Sequence, residues 1–361
     1  MSEWKETPLG DQINLKRGYD LPSQSRIFGL VPIFSSSGIS GYHNEKMVDG
    51  PGVVTGRYGT IGQVFYSEGA YWPLNTALYV QDFKANSVKF VYYFLQQLEW
   101  DKFSDKSAVP GVNRNNVHQE LVSFPLLDEQ NVIATVLTSL DNKIDLLHRQ
   151  NKTLEAMAET LFRQWFVEDA EEGWTERPLS GIANFLNGLA CQKYPPSNDL
   201  EKLPVLKIRE LSNGISETSD LATSQVKPEY IVEAGDVIFA WSASLMVKVW
   251  DGEKCVLNQH LFKVTSDEFP KWFYLRWCKH HLAEFIAVAA SHATTMGHIK
   301  RGDLDAATVL VPPPPVLEAM SKQMQPLLDK QIANARQRKT LEKLRDTLLP
   351  KLMSGEVRVA Y

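Results

Sequence analysis

From Asp128 to Phe166 apolar residues recur in alternating steps of four and three: Ile133, Leu137, Leu140, Ile144, Leu147, Asn151, Leu154, Ala158, Leu161 and Trp165. That is a heptad seam with one polar member, Asn151. At ~1.5 Å per residue it predicts a helical rod of roughly 60 Å. A second stripe runs through Met320, Met324, Leu327, Gln331, Asn334, Arg338, Leu341, Arg345, Leu348 and Leu352. Polar residues interrupt it, and Leu328, Ile332 and Ala335 displace the apolar face by one residue. Pro312 to Pro315 precede it and predict a stiff, extended entry. A rod of this length is poorly stable alone, and both seams outlast the ~11-residue helices of ordinary domains. The two rods are therefore expected to pair in antiparallel fashion.

The rods close two copies of one unit. Trp4-Lys5-Glu6-Thr7-Pro8-Leu9 matches Trp174-Thr175-Glu176-Arg177-Pro178-Leu179 at an offset of 170, which also pairs Asn14 with Asn184 and Gly18 with Gly188. Gln150-Asn151-Lys152-Thr153-Leu154-Glu155 matches Gln337-Arg338-Lys339-Thr340-Leu341-Glu342 at an offset of 187. Between them, Pro73-Leu74-Asn75 aligns with Val256-Leu257-Asn258, and Phe124-Pro125 with Val311-Pro312. Several matches in one order identify a duplication with insertions in the second copy. Ahead of each rod, short β-like runs are punctuated by Gly, Pro and Asn. Val53-Val54-Thr55 and Gly62 to Tyr66 correspond to Val237 to Ala240 and Leu245 to Trp250, and aromatic helical stretches follow at Phe90 to Leu98 and Trp272 to Phe285. The expected fold class is α/β (α+β): two globular domains separated by two long antiparallel coiled-coil helices, a pseudo-twofold internal repeat. The boundaries are 1–125, 126–170, 171–311 and 312–361.

Composition changes this picture little, and charge changes it more. The 361 residues carry a net charge of −5, and 43% are hydrophobic, ordinary for a soluble protein. By segment the nets are −1, −4, −4 and +4, so the two rods are opposite in sign. No apolar run reaches the ~20 residues of a membrane span, and Met1 to Glu6 show no signal region. Cys191, Cys255 and Cys278 are odd in number and lack metal-ligand spacing, which fits a reducing cytoplasm. A phosphate-cradling Gly-x-x-x-x-Gly-Lys loop is absent. Gly56-Arg57-Tyr58-Gly59-Thr60-Ile61-Gly62 leads into a strand, so no helix N-terminus follows to receive a phosphate. Tyr194-Pro195-Pro196-Ser197 has the residues of an amino-methyltransferase motif in the wrong order, and His280-His281 reads as structural. No catalytic constellation and no metal site emerges.

The loops do carry chemistry suited to base edges and phosphates. The first copy offers Arg57, Tyr58 and Thr60, then Asn75, then Asn113, Arg114 and Asn115; the second offers Trp241, Ser242 and Ser244, then Asn258 and Gln259, then Lys300 and Arg301. Arg pairs with guanine O6 and N7, and Asn or Gln with adenine. Asn75 and Asn258 serve equally well as buried turn caps.

Tandem variable domains, each followed by a long helix, resemble the specificity subunits of type I restriction–modification systems. The loop at Gly56 to Gly62, Trp72 to Val80, and Ser107-Ala108-Val109-Pro110-Gly111-Val112-Asn113-Arg114 resemble a common target-recognition domain. Pro125 to Gln130 and Leu348 to Glu356 are similar to the family's helix borders; the second copy departs from the glycine loop with Ala240-Trp241-Ser242-Ala243-Ser244. The resemblance implies a non-catalytic, cytoplasmic reader of double-stranded DNA. Each domain would read half of a bipartite, asymmetric site. The helical pair, with Leu327, Leu341, Leu348 and Leu352 in its seam, would set the gap and dock two methyltransferase subunits. S-adenosylmethionine, ATP and Mg would reside on those and on restriction subunits, not on this chain. A protein–protein scaffold is the alternative from another class.

Overall fold

A computed structural model describes residues 4–104, 111–291 and 297–359, so Ser107 to Pro110 of the recognition-like motif lie outside the described residues. Its contacts divide the chain into two units, residues 1–142 with 342–361, and residues 143–341. Leu127–Arg163 and Pro314–Met353 are the two long helices, and each contributes residues to both units.

In the first unit an antiparallel sheet runs in the order Asn14–Arg17, Ala77–Asp82, Gly52–Gly56, Val64–Ser67. A smaller sheet joins Gly38–His43, Val31–Ser35 and Trp72–Pro73, the last two parallel. Alternation along Gly52–Gly56 explains why its residues are all buried. Val53 packs with Phe90, Val91 and Phe94 of helix Val88–Leu95, whereas Val54 packs with Phe34, Tyr71 and Tyr79 on the small-sheet side. A strand covered on both faces reads as a continuous apolar run.

The second unit repeats this order with Asn184–Asn187, Leu261–Thr265, Val237–Ala240 and Met246–Val249. Val237 and Phe239 pack against helix Lys271–His280, and Ile238 and Ala240 against this unit's second sheet, in the order Leu221–Thr223, Lys202–Leu206, Cys255–Leu257 and Ile231–Val232. Each unit is closed by a two-stranded ladder, Lys5–Pro8 on Leu121–Phe124 and Thr175–Pro178 on Thr308–Val311.

Three local expectations require correction. Trp272 to Phe285 form not one helix but two, Lys271–His280 and Leu282–Ser291; at the break the buried His281 places Nε2 2.9 Å from the Thr308 carbonyl. Pro314 and Pro315 begin the second long helix rather than an extended entry, because a first turn has no use for their missing N–H. The third correction is the alignment of Asn75 with Asn258. Tyr19 N–H donates to the Pro73 carbonyl (2.8 Å) and Leu189 N–H to that of Leu257 (2.9 Å). Asn75 N–H donates to Tyr19, and Gln259 N–H to Leu189. A Cβ at Gly18 would lie 2.2 Å from the Leu74 carbonyl oxygen, and one at Gly188 2.3 Å from that of Asn258. Asn75 is thus equivalent to Gln259, and the shared Leu-Asn dipeptide sits one residue out of register.

Every seam position of both long helices is buried or half-buried. In the first unit Ile133 and Leu137 pack with Leu349, Leu352 and Met353, and Arg345 Nη1 pairs with Asp141 at 3.0 Å. Asp141 also accepts from Tyr93 Oη at 2.6 Å, which ties helix Val88–Leu95 to the seam. Glu129, fully buried, pairs with Arg358 and accepts from Trp4 Nε1 at 3.3 Å. In the second unit Phe162 and Phe166 pack with Met320, Met324 and Leu328. There Asn151 Nδ2 donates to the Gln331 carbonyl and Asn334 Nδ2 to Asn151 Oδ1, both at 3.0 Å. The polar seam residues thus satisfy one another, and 151 meeting 334 while 155 meets 331 makes the pairing antiparallel.

Glu155 is the ionic centre of the second unit. It accepts a bidentate pair from buried Arg276 at 2.8 and 2.7 Å, and Lys279 Nζ at 2.6 Å. Burial works to raise its pKa, but the Arg276 hydrogen bonds and the two positive charges overcome this and hold it at about 2, against an ordinary 4.5. A depressed carboxylate contributes stability that is complete above its unfolded value and lost as pH falls through the folded one. Between pH 5 and 2 the thermal midpoint of this unit is expected to fall. Glu155→Gln should cost on the order of 2 kcal/mol at pH 7, below the 3–5 typical of a broken buried pair because its side chain is 36% exposed. It should also flatten that acid limb; a variant with an unchanged pH profile in thermal melts contradicts the assignment.

Candidate nucleic-acid interface

Three chain segments converge in each unit, and main-chain hydrogen bonds hold them. In the first, Arg57 N–H donates to the Thr76 carbonyl at 2.9 Å, and Val112 N–H donates to that of Arg57 at 3.0 Å. In the second, Trp241 N–H donates to His260 at 3.4 Å, and Ile299 N–H to Trp241 at 3.0 Å. The strand-connecting loop, the Asn75/Gln259 segment and the entry to a short helix therefore share one frame. Equivalence follows from these bonds: Arg57 with Trp241, Tyr58 with Ser242, Gly59 with Ala243, Asn75 with Gln259, Thr76 with His260, Asn113 with Lys300, and Arg114 with Arg301.

The frame tolerates different side chains by exchanging volume. Tyr58 bridges to Gly111, where an added Cβ would meet its ring at 2.3 Å. The equivalent bridge joins small Ser242 to His298. Gly59 and Ala243 both have positive φ, +78° and +56°, so the turn demands a left-handed residue in each copy.

The side chains fall into two groups. Tyr58, Arg114, Asn115, Ser244, Lys300 and Arg301 are exposed, and Arg57, Thr60, Asn75, Trp241 and Gln259 are half-buried. The Arg57 guanidinium lies 4.4 Å from the Tyr58 ring centroid, which restricts it. Trp241 stacks on Phe262 at 5.7 Å and donates Nε1 to Asn187 Oδ1 at 3.2 Å.

Other candidates do structural work. Asn258 is 5% exposed and accepts from the His260 N–H at 3.3 Å, so it holds a turn and does not join the exposed set. Ser242 is buried with its hydroxyl 3.2 Å from His260 Nδ1. Asn113 caps helix Arg114–His118 by accepting from Asn115 N–H at 3.0 Å. That helix is fixed at its other end by His118, whose Nε2 accepts from Leu15 N–H at 2.9 Å. Burial, then the charges of Arg114 and Lys84, lower the His118 pKa and keep the ring in this accepting form.

Sequence reading missed Arg17, Asp20 and Asn187, which lie on or beside this frame. Arg17, Asp20 and Asn187 flank the Gly18 and Gly188 landmarks, so the repeat itself held the signal. Among the described residues no group of three or more His, Cys, Asp or Glu is arranged to hold a metal ion, and no helix is long and apolar enough to cross a membrane.

Comparison with known proteins points one way. Residues 1–156 and 171–343 match the family model of the type I restriction modification DNA specificity domain. The chain is 25% identical over 300 residues to the MjaIX type I restriction enzyme specificity subunit of Methanocaldococcus jannaschii, over 75% of this chain and 69% of that one. It is 20% identical to the HindI specificity subunit of Haemophilus influenzae, over 99% and 100% of the two chains. Its fold is similar to that of a type I restriction–modification S subunit from M. genitalium, with a TM-score of 0.67 at 15% identity over 97% and 96%.

The strained alanine offers a direct check of the shared frame. Ala243→Gly should stabilise the protein by up to about 1 kcal/mol, and Gly59→Ala should cost about as much, read from chemical denaturation. Equal and opposite signs are expected; a destabilising Ala243→Gly removes the equivalence of the two turns.

Proposed function

The chain belongs to the type I restriction modification DNA specificity family, and we propose that its two globular domains read the two halves of a bipartite, asymmetric DNA site. One observation carries this reading. The same main-chain frame occurs twice and presents Arg57, Asn75 and Arg114 in one copy but Trp241, Gln259 and Arg301 in the other. One frame with two side-chain sets is what two different short sequences require.

Chemistry then belongs to other subunits. This chain supplies direction, and two modification subunits with S-adenosylmethionine methylate the DNA. Restriction subunits with ATP and Mg complete the assembly. The long helices set the gap between half-sites and dock the modification subunits. The acidic balance of the chain supports this division, since phosphate affinity is then shared with partners. Arg57, Tyr58, Thr60, Asn75, Asn115 and Arg114 are assigned to the first half-site, and Trp241, Ser244, Gln259, Lys300 and Arg301 to the second.

Co-expression with the modification subunit and mapping of methylated bases tests the reading. Replacing residues 1–125 with another reader should change one half-site and leave the other intact. A helical turn inserted after Leu147, with a matching turn after Arg338, should lengthen the gap. A complex that binds scrambled duplex as tightly as its target contradicts the proposal, and an unchanged gap contradicts the role of the helices.

A further inference from the structure

In the first unit the exposed frame includes a carboxylate, which is unexpected on a surface meant for phosphates. Asp20 follows the Gly18 crossing and is 69% exposed. Its Oδ1 accepts from the amide nitrogen of Asn75 and, at 3.4 Å, from Arg17 Nη2. The backbone brings them together, since Asn75 N–H donates to the Tyr19 carbonyl at 3.0 Å. We propose that Asp20 is a positioning residue for sequence reading, fixing the Asn75 amide so that Asn75 recognises adenine in the first half-site. The inference rests on the DNA-reading function proposed above.

An ionised carboxylate only accepts, so the Asn75 nitrogen, not its oxygen, must face Asp20. The amide then keeps a second N–H and an Oδ1 directed away from Asp20. In the major groove adenine offers an acceptor at N7 beside a donor at N6, which this pair complements. Guanine offers two acceptors, N7 and O6, and its O6 would meet the Asn75 oxygen. Without Asp20 the amide can turn over and lose that distinction. The second unit lacks the device: Ala190 stands in place of Asp20 and Asn187 in place of Arg17, and Asn187 is committed to Trp241. The second half-site is consequently read by a different arrangement.

Charge separates this role from a structural one. Asp20 repels phosphates, so Asp20→Asn should leave binding to mixed-sequence DNA unchanged or tighter while lowering discrimination. A residue that merely held the fold would lower both. The test uses the chain in complex with its modification subunits and a duplex panel with each base pair of both half-sites changed singly. Asn75→Ala and Asp20→Asn should each lose roughly tenfold or more in discrimination at the same A·T pair of the first half-site. Discrimination at the second half-site, read in the same molecules, should not change. Loss at different pairs, loss spread over the whole half-site, loss at a G·C pair, or no loss overturns the inference while leaving two-domain reading intact. A wild-type complex without sequence preference overturns both.

Discussion

Main-chain hydrogen bonding among three loops is the constraint from which each candidate surface derives its geometry. The bonds from Arg57 to Thr76 and from Val112 to Arg57, and their counterparts from Trp241 to His260 and from Ile299 to Trp241, use backbone atoms. A surface built this way keeps its shape when its side chains change. That separates two demands that otherwise compete, a stable fold and a variable reading face. The exchange of Tyr58 and Gly111 for Ser242 and His298 shows the remaining condition, that volume lost on one side of a bridge be restored on the other.

The long helices solve a different problem. A purely apolar seam would pack well but specify register weakly. Here Asn151 and Asn334 satisfy each other in the second unit, and Asp141 with Arg345 does so in the first. The same side chains also anchor the globular parts. Tyr93 reaches Asp141, and Arg276 reaches Glu155, so a domain helix in each unit is pinned to the seam through a carboxylate.

Much of this was legible in sequence because periodicity reports burial directly. The heptad steps from Ile133 to Trp165 predicted a long helix, and the apolar strands Val53–Thr55 and Val237–Ala240 predicted buried sheet, since each pattern follows from one face or both being covered. The boundaries were less legible. Pro314 and Pro315 look like helix breakers by residue type but fall in a first turn, where the usual objection vanishes. The helix break after His280 depends on His281 reaching Thr308, a contact 27 residues away that no local pattern reports.

The candidate site divides the same way. The duplication, the two seams and the loops on which reading chemistry would sit all follow from local residue type and spacing. Residue type and spacing do not determine which loop side chains face outward. Asn258 looked equivalent to Asn75 because both follow leucine, yet the hydrogen-bond register matches Asn75 to Gln259 and buries Asn258. Asn113 lies exposed and also caps a helix, while Asp20 looked unremarkable and holds Asn75. These outcomes come from strand register and side-chain partners, which are set by contacts between segments far apart in the chain, and a one-residue shift reassigns every side chain in a loop.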